Sequence, residues 1–134
     1  MSSDPLPLDV NTVRNLDSPE QLASWTQSLV VALGNHISST QRATKLPPAA
    51  IPDGCGEDAR RWLLHTWEDL TAGFARLQRN QLLLADVDPA VLATAFLAAI
   101  QGGYLLSVTA RNITPLKIAA DMALQQVARS LAER

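Results

Sequence analysis

Apolar residues recur along most of this chain at steps of three and four, the repeat of a helix with one face turned inward. Leu22, Trp25, Leu29, Leu33 and Ile37 share one such stripe, with Val30 beside it. They predict a helix from about Pro19 to about Ser39. Leu63, Trp67, Leu70, Phe74 and Leu77 form a second continuous stripe, flanked by Trp62 and Leu64, and predict a helix from about Glu57 to about Leu84. A third helix, from Pro89 to about Ala110, carries no charged residue. A fourth, from Pro115 to about Ala132, has two apolar stripes. One is Leu116, Ala119, Ala120, Ala123, Leu124, Val127 and Leu131; the other is Ile118 and Met122, continued by Gln125 and Arg129. No segment alternates apolar and polar positions as a half-buried strand would, and hairpin turn pairs are missing. The expected fold class is all-α, an antiparallel helical bundle.

Three proline pairs sharpen the helix starts. Ser18-Pro19, Asp88-Pro89 and Thr114-Pro115 each place a capping side chain before a proline at the first helical position, where the missing N–H costs nothing. Gln21, three residues after Ser18, completes a capping box. Residues 40–56 interrupt the helical pattern with Lys45-Leu-Pro-Pro-Ala-Ala-Ile-Pro-Asp-Gly-Cys-Gly56. A connection this long often works as a lid; a short helix fits inside it. Residues 1–17 read as a tail or short helix, with room for one helical turn between Val10 and Leu16, and residues 18–134 read as one domain.

Composition narrows the functional class. In a chain of 134 residues, 47% hydrophobic and 18% charged, a single core can form unaided. A net charge of -2 and a pI near 5.6 argue against a domain held to nucleic acid by a basic face. The basic residues are scattered, with Arg60-Arg61 the densest pair. The single cysteine, Cys55, cannot form an internal disulfide, so nothing points to an oxidising compartment. The opening Met1-Ser-Ser-Asp-Pro-Leu-Pro7 is neither a signal nor a transit peptide, and the expected location is the cytoplasm.

The uncharged third helix is long enough to cross a bilayer, at about 33 Å for a 22-residue helix. Thr94, Gln101, Ser107 and Thr109 would need partners in lipid, and its alanines add little transfer energy, so no membrane partner is expected. The alternative is burial on every side, by its own core and by a second copy. Gly102 and Gly103 leave a bare spot for a close helix, and the two-striped fourth helix is the natural companion. The expectation is a homodimer, with two helices from each copy in a four-helix bundle about a two-fold axis. Its interface is expected to hold Phe96, Gly102, Gly103, Ile118, Met122, Gln125 and Arg129.

Two segments carry a resemblance. Asp88-Pro-Ala-Val-Leu-Ala-Thr-Ala-Phe-Leu-Ala-Ala-Ile-Gln-Gly-Gly-Tyr-Leu-Leu106 and Thr114-Pro-Leu-Lys-Ile-Ala-Ala-Asp-Met-Ala-Leu124 resemble the last two helices of tetracycline-repressor (TetR) family regulators, in the subgroup of multidrug-responsive repressors. The resemblance covers roughly residues 18–134 and is weak before residue 57. It implies a C-terminal domain whose last two helices dimerise and whose earlier helices enclose a small-molecule pocket. The family's helix-turn-helix head has no counterpart here, because residues 1–17 are too short and too rich in proline to hold it. Direct DNA binding is therefore not carried over. A regulator's effector domain cut from its head fits, and so does a headless relative; Met1-Ser-Ser at the start favours the second. The implied function is small-molecule sensing and dimerisation. The alternative is a headless interaction protein that pairs with a full-length TetR-family repressor and blocks its two-headed grip on DNA.

A pocket needs aromatic lining and a few polar groups. The first three helices are expected to surround an apolar effector with Leu29, Leu33, Trp67, Leu70, Phe74 and Tyr104, the 45–56 segment lying near its mouth. Enzyme motifs are missing: no Gly-x-Ser-x-Gly, no His-Glu-x-x-His and no phosphate-binding glycine loop. Glu57-Asp58 and Glu68-Asp69 are neighbours on a helix and face different ways, so neither pair can share a substrate. His36, His65 and Cys55 match no metal-ligand spacing. No catalytic residue, metal or cofactor is expected.

Overall fold

The computed structural model describes residues 13–43 and 53–132, with the side chains of 13–37 and 60–132. Among these residues there are four helices: α1 (Pro19–Ala43), α2 (Asp53–Arg79), α3 (Pro89–Ala110) and α4 (Thr114–Arg129). The protein is all-α. α3 packs along α4 most extensively and also against α2 and α1, while α1 also touches α4. Leu22, Leu29, Leu70, Phe74, Leu77, Ile100 and Leu116 are fully buried in one shared core.

Two of the expected caps are present. The Ser18 hydroxyl accepts the Gln21 N–H at 3.3 Å, and the Gln21 side chain reaches the N–H of Asp17 (2.7 Å), one residue further out than a capping box requires. The Asp88 carboxylate accepts the Ala90 N–H at 2.9 Å ahead of α3. At α4 the expectation needs correction. Thr114 is already helical, and the Asn112 side chain accepts its N–H at 3.0 Å. One turn on, the Leu116 N–H donates to the Ser107 hydroxyl of α3 at 2.8 Å in the buried interior. Ser107→Ala would leave that N–H buried and unpaired, so a loss of about 1–3 kcal/mol is expected in urea unfolding; an unchanged midpoint would refute the role.

The helices on either side of 40–56 are longer than their sequence pattern suggests. α1 continues to Ala43 and α2 starts at Asp53, taking in Gly54, Cys55 and Gly56; residues 44–52 lie outside the described residues. Interior glycine lowers helix stability by about 1 kcal/mol without forbidding a helix. α2 stops at Arg79, before Leu84. Gln81 adopts a left-handed conformation (φ 64°), and the Leu82 N–H turns back to the Leu77 carbonyl at 2.8 Å. The Gln78 side-chain amide then donates to the carbonyls of Leu84 (2.9 Å) and Val87 (2.6 Å), holding the loop to α3. α3 ends the same way at Arg111 (φ 57°). α4 ends at Arg129, three residues short of the expected Ala132, and the chain after it pairs with this loop through an isolated antiparallel bridge, Leu83 to Leu131.

Residues 13–17 dock on α2. Val13 and Leu16 are fully buried. Arg14 pairs with Asp69 at 3.4 Å and Asp17 with Arg76 at 2.8 Å, one ion pair on each side of Gly73.

Candidate functional site

The antiparallel pairing of α2 and α3 creates the site. Its register is pinned where the Trp67 indole N–H donates to the Thr94 hydroxyl at 2.9 Å, while that hydroxyl donates to the Ala90 carbonyl at 2.7 Å. Arg60, Leu63 and Leu64 of α2 and Leu97, Ala98 and Gln101 of α3 join this pair in lining an open groove of about 340 Å³. That volume lies within the range of small-molecule sites. Seven of the eight lining residues are uncharged and Arg60 is the one cation. The small side chain of Ala98 leaves the hollow, and Leu64 and Trp67, 45% and 43% exposed, form its α2 wall.

Of the six side chains expected to line an interior pocket, Trp67 alone lines this groove. Leu29, Leu70 and Phe74 are 0% exposed and Leu33 only 5%. No void reachable by water adjoins the first three, so they act as core, with the ring of Phe74 edge-on to Phe96 at 6.2 Å. Tyr104 stacks on His36 at 6.5 Å between α3 and α1. Arg60, Leu63, Leu64, Thr94, Leu97, Ala98 and Gln101 were not anticipated as a site. A signal existed: the steps three, one, three occur in both helices, and align once the helices are paired antiparallel.

The residues expected at a dimer interface divide into two groups. Phe96 and Gly103 are buried in the chain's own interior. A Cβ on Gly103 would fall 2.5 Å from the Ala119 Cβ, so this glycine admits the chain's own α4 and not a second copy's helix. Gly102 has nothing within 4 Å of where its Cβ would lie, and Gln125 and Arg129 are exposed with it. Ile118 (59%) and Met122 (61%) are exposed as well.

Comparison with protein-family models, curated proteins and solved structures finds no match to this chain. Among the described residues, no group of three His, Cys, Asp or Glu could hold a metal. α3 is long and apolar enough to cross a membrane, and the inward half of it is packed in the core. Among the described residues, two buried polar groups, the Trp25 indole N–H and the Thr66 hydroxyl, have no hydrogen-bond partner.

Proposed function

We propose that this chain is a small-molecule-sensing and dimerisation domain of the TetR C-terminal type, acting in the cytoplasm and not gripping DNA itself. The observation that carries the reading is the outer surface of the α3–α4 pair. On α3, Val91, Ala95, Gly102 and Leu105 lie on the side away from the core, and all are exposed. On α4, Ile118, Met122, Gln125 and Arg129 do the same. The two helices pack along each other, and Leu106 of α3 is 60% exposed as well. An apolar layer on an uncharged helix marks an association surface. A second copy laid on it about a two-fold axis completes a four-helix bundle.

Met122→Glu tests this reading. Met122 is exposed, so the substitution should leave the fold within about 0.5 kcal/mol. Sedimentation at micromolar concentration should show a dimer for the unmodified chain and a monomer for the variant. Val31→Glu, a charge on an equally exposed apolar residue of α1, should leave association intact. A monomeric unmodified chain would end the proposal.

One observation favours the alternative, pairing with a full-length TetR-family repressor. Of the six side chains expected around an interior effector, Leu29, Leu33, Leu70 and Phe74 are buried in the shared core. Their burial suits a partner whose role is its interface. Both readings use the same α3–α4 face.

A further inference from the structure

The apolar surfaces of this chain differ in relief. On the outside of the α3–α4 pair, Leu105, Leu106, Ile118 and Met122 stand exposed to solvent. Between α2 and α3 the surface is hollow. There Leu97 is buried and Leu63 half-buried, while Leu64 and Trp67 are exposed beside the small Ala98. Almost none of the surface lining this hollow belongs to polar atoms, so Arg60 and Gln101 border it with carbon. The hydrogen-bond donors of Trp67 and Thr94 are both spent. The indole N–H donates to the Thr94 hydroxyl, and that hydroxyl donates to the Ala90 carbonyl.

We infer that this hollow binds a neutral, apolar small molecule, its hydrocarbon body held among Leu63, Leu64, Leu97 and Ala98, beside the Trp67 ring. The lining decides the class. A charged or strongly hydrogen-bonding ligand would shed water there and gain no partner in return. An apolar one gains by leaving water, and a neutral aromatic framework adds contact with the indole. Size decides against a protein occupant. The volume of about 340 Å³ suits a small molecule. Eight residues line the hollow, against the roughly 20–30 on each side of a stable protein interface. The inference rests on the sensing reading and moves its site from the interior to this surface.

The test is fluorescence titration of the full chain with two probes. N-phenyl-1-naphthylamine is neutral and brightens in apolar surroundings; 8-anilinonaphthalene-1-sulfonate adds a fixed negative charge to the same framework. The neutral probe should bind at least about tenfold more tightly than the sulfonate. Leu64→Asp puts a charge in the wall at an exposed position and should weaken the neutral probe about tenfold with the fold intact. Ala98→Phe, which fills the hollow, should abolish its binding, with the fold checked by circular dichroism. Val31→Glu, on the exposed side of α1, should leave it unchanged. Equal affinity for the two probes, a tighter sulfonate, no binding of the neutral probe, or binding untouched by Leu64→Asp and Ala98→Phe would overturn the inference. So would a smaller oligomer for Leu64→Asp than for the unmodified chain in sedimentation, since a second copy would then cover the hollow. The sensing reading is decided separately. A thermal-shift screen of uncharged apolar compounds that stabilises the Ala98→Phe chain as much as the unmodified one would preserve sensing while refuting the hollow; no stabilisation of either chain would end both.

Discussion

Truncating Phe74 to alanine should destabilise the fold by about 4 kcal/mol, a large share of the roughly 5–15 kcal/mol that holds a domain together. Phe74 is fully buried and meets Phe96 edge-on, at an interplanar angle of 80°. The variant loses the transfer energy of the ring, leaves a cavity and gives up an aromatic pair worth about 0.5–1.5 kcal/mol. For a chain this long the midpoint of thermal unfolding should fall by roughly 10–15 °C. Phe74→Leu keeps most of the volume and should lose less than half as much. A small loss for Phe74→Ala, within about 1 kcal/mol, would mean the core is looser than its burial implies.

Gly73→Ala should be nearly as damaging, although it adds only a methyl group. The new Cβ would lie 2.0 Å from the carbonyl oxygen of Val13 and 3.1 Å from a methyl of Leu16. The first obstacle is backbone and cannot rotate away, so residues 13–17 must lift from α2. Lifting them exposes Val13 and Leu16, each contributing about 1.5–3 kcal/mol when buried, and separates Arg14 from Asp69 and Asp17 from Arg76. The expected loss is about 3–5 kcal/mol by urea unfolding. Amide exchange at Leu16 and Asp17 should rise with it. Protection there equal to that of the unmodified chain would show that α2 shifts and the segment stays.

How much of this could be read from the chain varies with the residue. Asp88-Pro89 announced the start of α3, and the lack of charge up to Ala110 its length. That same lack of charge hid which side faces inward: with no polar face as a guide, Phe96 and Gly103 looked as available to a partner as Gly102. On α2 the stripe from Leu63 to Leu77 is continuous in type but not in burial, because the helix leaves the core toward its N-terminal end. Phe74 is therefore buried and Trp67 exposed. The end of α2 was masked by Leu82-Leu83-Leu84, which prolong the apolar pattern after the backbone has turned at Gln81, a position with no glycine to betray it. Val13 and Leu16 are too few to show a period, and the gap at Gly73 that receives them exists only in three dimensions. The groove needed the pairing of two helices, which no single stripe contains.

The two left-handed turns have a consequence for how far the molecule sits from its own stability ceiling. Gln81 and Arg111 both hold a conformation that costs a residue with a Cβ roughly 1–2 kcal/mol and costs glycine almost nothing. Arg111 has compensation, since its positive charge lies at the negative end of α3. Gln81 has none of that kind. It is exposed, outside the groove and outside the α3–α4 layer, so the strain there serves neither. Such a position is what selection leaves behind when a fold needs only to be stable enough, and it is where an engineer would first look for headroom.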